Sequence, residues 1–128
     1  MSKHELEESH VFSPRFGADG LLACVTQEAT SGEVLMLAWM NAEALAKTIE
    51  TGIAHYWSRS RQTLWRKGDT SGQVQTLVDM RVDCDQDAVL LRVAVGGDGR
   101  ACHTGRKSCF YRRIVTAPDG LRLDFLTE

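Results

Sequence analysis

Three of the four cysteines stand in surroundings that suit chemistry better than burial. Cys84 lies between two aspartates, whereas Cys102 and Cys109 flank a polar, basic segment that includes His103. The spacing is not the paired C-x-x-C of a structural zinc site, but catalytic zinc commonly takes three protein ligands and keeps one position for water. From the residues alone, metal binding and burial as small apolar side chains both remain open for these thiols. Cys24 lies inside an apolar run and is predicted to be a core residue.

The second cluster with chemical potential is the acidic segment at 83–87, Asp-Cys-Asp-Gln-Asp. A solvated acidic turn and a site for a hard cation such as Mg²⁺ are both open. A calcium EF-hand is excluded, because its sixth and twelfth positions would be Ala88 and Ala94 instead of Gly and Glu.

The geometry of this acidic segment depends on its conformation. In an extended strand Asp83, Asp85 and Asp87 share one face and Cys84 points to the other. The outer carboxylates would then lie about 13 Å apart, too far for one Mg²⁺ to bind all three without a bend. Either the strand ends here or an ion uses only some of the carboxylates. The alternation also allows two different metal sites back to back, with zinc completed across a dimer interface.

A basic segment with interleaved aromatic residues spans 56–68 and is followed by a glycine- and hydroxyl-rich stretch. Its tryptophans, Trp57 and Trp65, are predicted to lie in the core. The local positive charge predicts a confined site for a small phosphorylated ligand, since the chain as a whole carries a net charge of −2. The predicted substrate-binding residues are Arg59, Arg61, Lys67, Thr70 and Ser71.

These residues must be positioned by one domain, because the chain has only 128 residues. We expect a single domain over 1–128, with loosely held ends at about 1–15 and 117–128. The composition, 43% hydrophobic and 25% charged, is typical of a soluble globular protein and excludes a disordered chain. No secretory signal, transit peptide or membrane-spanning run is evident, so a reducing cytoplasm is the expected location.

Runs of apolar and β-branched residues separated by turn signals predict a strand-rich α+β domain with a mixed or antiparallel sheet. One main helix is predicted over about 41–51, capped by Asn41 and ended by Gly52. Its predicted apolar face comprises Ala42, Leu45, Ala46 and Ile49. The predicted strands are 21–27, 34–40, 54–58, 63–66, 74–83, 88–95 and 109–115.

Several short motifs occur along the chain in a fixed order. They lie at 32–41, 58–61, 64–65, 67–68, 70–72, 83–87, 101–105 and 108–110. Together they are specific, and over about residues 20–115 the chain resembles the phosphoribosyl-AMP cyclohydrolase family of histidine biosynthesis. Two positions depart from the family pattern. Gln73 stands where the family usually has His, and the loop at 95–100 is longer than usual and lacks its usual Gln.

The resemblance implies a homodimer with one Zn²⁺ per subunit and Mg²⁺ as a second metal. It assigns zinc to Cys84, Cys102 and Cys109, contributed from both subunits, and magnesium to the three aspartates at 83, 85 and 87. The implied reaction is hydrolytic opening of the N1–C6 bond in the adenine ring of 1-(5-phosphoribosyl)-AMP, which gives the formimino-aminoimidazole carboxamide ribonucleotide. His103 is the predicted catalytic proton shuttle, because imidazole ordinarily titrates near neutral pH.

Two other functions are disfavoured by the sequence. A zinc nucleobase deaminase is disfavoured, because the H-x-E and P-C-x-x-C signature is absent from the sequence. A small metal-stabilised RNA-binding module is disfavoured by the overall acidic charge and by three candidate ligand cysteines where a structural site takes four. The resemblance implies a small phosphorylated nucleotide as the partner, with no nucleic acid and no membrane.

Overall fold

The architecture was obtained as a computed structural model in which residues 2–126 are described. Within these residues, two helices and eight strands follow one another. They are α1 Lys3–Glu8, β1 Leu22–Glu28, β2 Val34–Met40, α2 Ala42–Thr51, β3 His55–Ser58, β4 Thr63–Arg66, β5 Gln75–Val82, β6 Ala88–Val95, β7 Arg112–Ala117 and β8 Gly120–Phe125. No helix among residues 2–126 is long and apolar enough to cross a membrane.

Four strands form the main sheet in the order β2-β1-β6-β5. The central pair β1 and β6 is parallel, with Ala23 opposite Ala88, and both outer pairs are antiparallel. The sheet is therefore mixed, which confirms the predicted α+β class. The strands β3 and β4 form a separate hairpin, and β7 and β8 form another.

The helix α2 covers the core beside β2 and β3. Its first turn is capped by Asn41, whose side chain accepts a hydrogen bond from the Ala44 amide at 2.9 Å, and it ends at Gly52 in the left-handed conformation. The predicted helix is thus confirmed, but its predicted face is partly wrong. Of the predicted face only Leu45 is buried, together with Ala44 and Thr48, whereas Ala42 and Ala46 are exposed and Ile49 is 54% exposed. The Thr48 hydroxyl accepts a hydrogen bond from the His55 amide of β3, and this bond holds the Thr48 side of the helix toward the core.

The core lies between the main sheet, α2 and β3. Its fully buried residues include Leu22, Cys24, Leu35, Tyr56 and Leu91. The burial of Cys24 confirms its prediction as a core residue. The prediction for the tryptophans is wrong, since Trp65 is 37% exposed and Trp57 is only half-buried. Both belong to the β3–β4 hairpin, which lies outside the main sheet and has one open side.

Two elements occur where the sequence predicts no regular structure. The helix α1 begins at Lys3, with Ser2 as its cap, and the hairpin β7–β8 continues to Phe125. The predicted strand at 109–115 starts only at Arg112, because the segment before it turns to bond the main sheet through the Cys109 amide. The predicted loose ends also include Met1, Thr127 and Glu128, which lie outside the described residues.

Candidate active site and metal centre

A short loop between Ala101 and Cys109 holds two of the three candidate zinc ligands. The loop is closed on itself, since the Cys102 amide donates to the Arg106 carbonyl over 3.0 Å. It is fastened to β2 at its other end, where the Cys109 amide donates to the Leu35 carbonyl over 2.7 Å. Lys107 adds ion pairs to Glu28 at 2.9 Å and to Glu33 at 3.1 Å. The thiols are therefore anchored to the turn between β1 and β2.

The side chains of Cys102 and Cys109 interact with each other, and each shifts the pKa of the other. Burial opposes ionisation of Cys102, but hydrogen bonds from Thr104, whose hydroxyl lies 3.1 Å from the sulfur, and from Cys109 lower its pKa below the ordinary value. Burial, together with the neighbouring Cys102 thiolate, raises the pKa of Cys109 to about 11. Such a pair favours one thiolate and one thiol that share a proton, and a divalent cation can replace that proton.

A buried lysine faces this pair. Lys67 is only 7% exposed, and its ammonium lies 5.1 Å from the centre of the Trp65 ring. Burial lowers the pKa of Lys67, and the thiols of Cys109 and Cys102 act in the opposite direction. Gly68, at φ +89°, follows it and lies against the Val74 backbone where no side chain fits. This close turn fixes the end of β4 and so the position of the lysine.

A cavity of about 590 Å³ opens beside the lysine and the thiols. It brings together predicted site residues from two segments that are distant in sequence: Arg61, Lys67, Thr70, Ser71, His103 and Cys109. Cys102 lies buried next to it. Cations, hydroxyls, an imidazole and a thiol thus line one cavity, a combination suited to a phosphorylated ligand whose reactive end meets the candidate metal ligands.

Arg59 is the one predicted substrate-binding residue that does not line this cavity. Its guanidinium lies 4.7 Å from the centre of the Trp39 ring. Trp39 lines a different cavity together with Arg15 and Asp87. Arg59 therefore lies near the end of the main sheet that carries the acidic segment.

A series of buried, hydrogen-bonded side chains, which no sequence pattern indicates, lies beneath the cavity. The Tyr56 hydroxyl donates to Gln75 Oε1 at 2.5 Å and lies 2.7 Å from the Thr26 hydroxyl. Gln75 in turn donates to the Met36 sulfur over 3.4 Å, and Met36 lines the cavity. Burial and the nearby Cys24 raise the pKa of Tyr56 far above its ordinary value, so the phenol stays protonated. These side chains thus fix the cavity floor with uncharged groups.

The two departures from the family pattern meet in space. Gln73 lines the cavity, and its side-chain amide donates to Asp98 in the longer loop over 2.6 Å. Gly97 approaches Gln73 and Gly72 closely in the left-handed conformation at φ +62°. The longer loop is therefore tied to the cavity wall at the position where the family usually has His.

The acidic segment forms the turn between β5 and β6, so the strand ends at Val82. Of the two conformations left open by the sequence, the bend is the one observed. The carboxylates of Asp83, Asp85 and Asp87 lie with ligand oxygens within 4.8 Å of one another. The backbone folds back because Asp83 Oδ1 accepts from the Asp87 and Ala88 amides at 3.0 and 3.1 Å. The three aspartates thus have the donor chemistry and spacing of a hard-cation site.

The three carboxylates share their charge unevenly. Hydrogen bonds with Asp85 and Asp83 raise the pKa of Asp87 to about 6, whereas the bond with Asp87 lowers the pKa of Asp85. One proton is therefore retained by this exposed group well above the usual range of aspartate. A cation between the carboxylates would remove the need for that proton.

Gln86 anchors the acidic turn, a role that no pattern in the sequence indicates. It has φ +61° and its side chain is buried. Its side-chain oxygen accepts from the Ser13 amide at 2.6 Å, and its side-chain amide donates to the carbonyls of Leu6 and Val11. The N-terminal segment is thereby wrapped around the turn and brings Arg15 close to Asp85.

Cys84 is not brought together with the other two candidate zinc ligands. It is exposed in the turn before β6, whereas the loop with Cys102 and Cys109 follows that strand. A strand of eight residues, as β6 is, spans about 25 Å. Within residues 2–126 the aspartate turn is the only group of three or more His, Cys, Asp or Glu close enough to share an ion. A single chain therefore supplies two thiols at one end of the sheet and one at the other.

Comparison with known proteins decides the family. The family model described as phosphoribosyl-AMP cyclohydrolase matches residues 36–111, more than half of the chain. The chain belongs to this family. It is therefore an enzyme, and every predicted site residue lies inside the matched range.

Individual cyclohydrolases match over nearly the whole chain. A phosphoribosyl-AMP cyclohydrolase of Caulobacter vibrioides is 67% identical over 87% of this chain and 80% of its own length. That of Chelativorans sp. is 62% identical over 88% of this chain and 81% of its own. That of Brucella canis is 55% identical over 98% of this chain and 91% of its own.

Proposed function

We propose that this enzyme opens the adenine ring of 1-(5-phosphoribosyl)-AMP by zinc-dependent hydrolysis of the N1–C6 bond, in histidine biosynthesis. One cavity carries the proposal. It is lined by His103 and Cys109 of the thiol loop (101–109) and by Arg61, the buried Lys67, Thr70 and Ser71 of the segment 61–71. Family membership supports the same substrate.

The donor set fits zinc. Two thiols that share a proton are already adjacent, and a third thiolate would complete the three-ligand pattern typical of catalytic zinc. Because Cys84 lies at the opposite end of the sheet, we propose that it comes from a second copy in a homodimer, with one zinc per subunit. When bound, zinc supplies an activated water molecule near neutral pH.

The reaction requires a proton transfer that the chain itself can perform. Oxygen from water becomes bonded to C6, the C6–N1 bond breaks, and N1 gains a proton. This leaves a carboxamide at C6 and a formimino group at N1. We assign the proton transfer to the His103 imidazole, which lines the same cavity as Cys109. The Lys67 ammonium offsets the negative charge of the thiolates.

The other cavity residues are assigned to binding. Thr70 and Ser71 offer hydroxyls at the cavity mouth, and Arg61 offers a guanidinium, so together they suit a phosphate group. We assign Mg²⁺ to the three aspartates of the β5–β6 turn, where it can hold or orient a second phosphate. Arg59 lies near that end of the main sheet and is assigned to the same phosphate.

Magnesium binding is expected to weaken sharply in mildly acidic solution. Mg²⁺ needs ionised carboxylates, and the raised pKa of Asp87, about 6, means that a proton competes for the turn below that pH. In the absence of a cation, the same proton also contributes to the free energy of unfolding. This contribution is lost as pH rises through about 6, because the pKa of Asp87 is raised in the folded protein. Titration calorimetry with MgCl₂ should therefore give a higher affinity at about pH 7 than at about pH 5.

A matched variant separates the turn from the general charge of the protein. Asp124→Asn removes a carboxylate of the exposed β8 strand, which pairs with Arg122, and should leave Mg²⁺ affinity unchanged. Asp87→Asn should weaken binding at about pH 7 and abolish the pH dependence. Equal affinity of the unmodified protein at the two pH values would contradict a magnesium site at this turn.

The proposed activity is tested by ultraviolet spectroscopy of phosphoribosyl-AMP mixed with purified protein that contains stoichiometric zinc. We expect a change in the absorbance of the purine ring as it opens, lost on chelation and restored by added Zn²⁺. Protein loaded with zinc and magnesium that leaves the spectrum unchanged would refute the proposed reaction.

A further inference from the structure

Two loops pack against each other beside the cavity. The first, the hydroxyl loop, spans 68–72 and supplies both of its hydroxyl side chains to the cavity, and the second is the longer loop at 95–100. The Gly96 amide donates to the carbonyl of Val74, just after the hydroxyl loop, over 2.8 Å. A Cβ atom at Gly96 would lie 3.4 Å from the Gly72 carbonyl oxygen, so the two backbones are in contact. The position of one loop therefore determines that of the other.

Asp98 joins the longer loop to the residue that follows the hydroxyl loop. One carboxylate oxygen of Asp98 accepts from the Gln73 side-chain amide at 2.6 Å and from the Arg100 backbone amide at 3.0 Å. Gln73 itself lines the cavity. A charged acceptor strengthens a hydrogen bond, so this contact holds the end of the hydroxyl loop in place.

Arg100 joins the longer loop to the thiol loop. Its guanidinium donates to the Gly105 carbonyl over 2.8 Å. Gly105 follows His103 and Thr104 in the chain and has φ +88°, a backbone conformation that favours glycine. Arg100 thus fixes the turn that comes directly after the proposed proton-transfer residue.

A short path of hydrogen bonds therefore runs from one part of the cavity lining to the other. It passes from Gln73 to Asp98, along the backbone to Arg100, and on to Gly105. A substrate that is bound at one end and transformed at the other needs a fixed distance between the two ends. A displacement of about 1 Å can lower the rate about 100-fold, so the path is placed where such a distance is set.

We propose that the side chains of Gln73, Asp98 and Arg100 form a bridge that positions the hydroxyl loop relative to His103 for the phosphorylated substrate. The inference rests on the proposed function, which assigns phosphate binding to the hydroxyl loop and proton transfer to His103. Gln73 and the longer loop are the two places where the chain departs from the family pattern, so the family resemblance assigns the bridge no role.

The first test removes the bond between Gln73 and Asp98. Gln73→Met keeps the length of the side chain but cannot donate to the carboxylate, whereas Gln73→Glu places a second carboxylate beside it. We expect both variants to raise KM for phosphoribosyl-AMP by about 10-fold and to lower kcat by less than about 3-fold, because the hydroxyls that bind phosphate are displaced. Zinc content and the thermal unfolding midpoint should change little, since the bond lies at the surface.

Asp98→Asn separates the bond from the charge that Gln73→Glu adds to the cavity. Alone, it keeps the acceptor oxygen and should leave KM within about 3-fold of that of the unmodified protein. Combined with Gln73→Glu, it lets the new amide donate to the new carboxylate, so the bond is restored in the reverse direction and KM should recover to within about 3-fold. Combined with Gln73→Met, it restores no bond and should restore no KM.

Arg100→Met tests the other end of the bridge. It removes the donor to Gly105, and we expect kcat to fall by about 10-fold with zinc content unchanged, because His103 lies in the same loop. Arg100→Lys is the matched control, since it keeps a cationic donor on a long side chain and should retain at least about half of kcat. Unchanged kcat and KM in Arg100→Met would overturn the link to the thiol loop.

Unchanged KM in Gln73→Met overturns the bridge, as does a Gln73→Glu/Asp98→Asn double variant that remains as impaired as Gln73→Glu alone. Titration calorimetry with AMP gives a readout that needs no ring opening, and the pattern expected for KM should recur in Kd. If the unmodified protein opens no ring, the proposed function is refuted, and the bridge is judged by these AMP affinities. An unmodified protein that binds no AMP overturns the bridge as well.

Discussion

Cys109→Ser is expected to lose zinc and to lower kcat/KM by more than about 100-fold. Loss of a residue that only hydrogen-bonds a metal ligand already lowers metal affinity or activity by about 10- to 100-fold, and Cys109 is proposed as a ligand itself. Serine keeps the size of the side chain, but its hydroxyl does not ionise near neutral pH and is a harder donor than a thiolate. Cys109 is fixed by its amide bond to Leu35 and is adjacent to Cys102, so no other thiol of the same chain can replace it. Zinc analysis and the spectroscopic assay measure both effects.

Cys24→Ala is the matched control for this substitution. It also removes one thiol, but Cys24 is fully buried in the core, and burial raises its pKa to about 12. We expect full zinc content and full activity, with a loss of about 1 kcal/mol in the free energy of unfolding from the small cavity. If Cys109→Ser retained zinc as Cys24→Ala does, the thiol pair would not be part of the metal centre.

Lys67→Met is expected to give the second-largest loss, with kcat/KM lowered by about 10- to 100-fold while the protein remains folded. The substitution keeps a long apolar stem in a buried position but removes the positive charge that faces the Cys102–Cys109 pair. Without this ammonium the pKa of Cys102 should rise, because the positive charge of Lys67 is one of the groups that lower it. In zinc-free protein, modification by a thiol reagent should therefore reach a given rate only at higher pH in Lys67→Met than in the unmodified protein.

Arg66→Met controls for the loss of a neighbouring positive charge. Arg66 is exposed and pairs with Asp69 at 2.6 Å, so its replacement should change stability by no more than about 0.5 kcal/mol. It should leave both activity and the pH profile of thiol modification unchanged. If Lys67→Met behaved in the same way, the lysine would serve packing alone and the assigned electrostatic role would be wrong.

Local signals in the sequence were enough to predict much of the fold. The strands at 34–40, 63–66 and 88–95 have the predicted bounds, because each apolar run is enclosed by turn residues. Asn41 and Gly52 mark the ends of α2 through chemistry that acts within one turn of helix. The aspartate turn was found as a cluster for the same reason, since its ligands are neighbours along the chain.

Features that depend on contacts between distant segments could not be predicted. The buried face of α2 is set partly by the bond between Thr48 and His55, and the anchoring role of Gln86 depends on bonds to residues more than seventy positions away. The chain Tyr56–Gln75–Met36 likewise joins three separate strands. A sequence pattern reports which residues are polar or apolar, but not which distant partner will satisfy them.

The most direct test of the proposed shared zinc site is to mix two variants that should be inactive, Cys84→Ala and Cys109→Ala, and to measure activity after dissociation and reassembly. In a symmetric dimer each site takes Cys84 from one copy and the thiol pair from the other, so a mixed dimer contains one intact site out of two. Random reassembly makes half of the dimers mixed, and we expect about one quarter of the unmodified activity and zinc content. Mixed dimers, verified by mass spectrometry, that bind no zinc and show no ring opening would contradict a zinc site built from two copies.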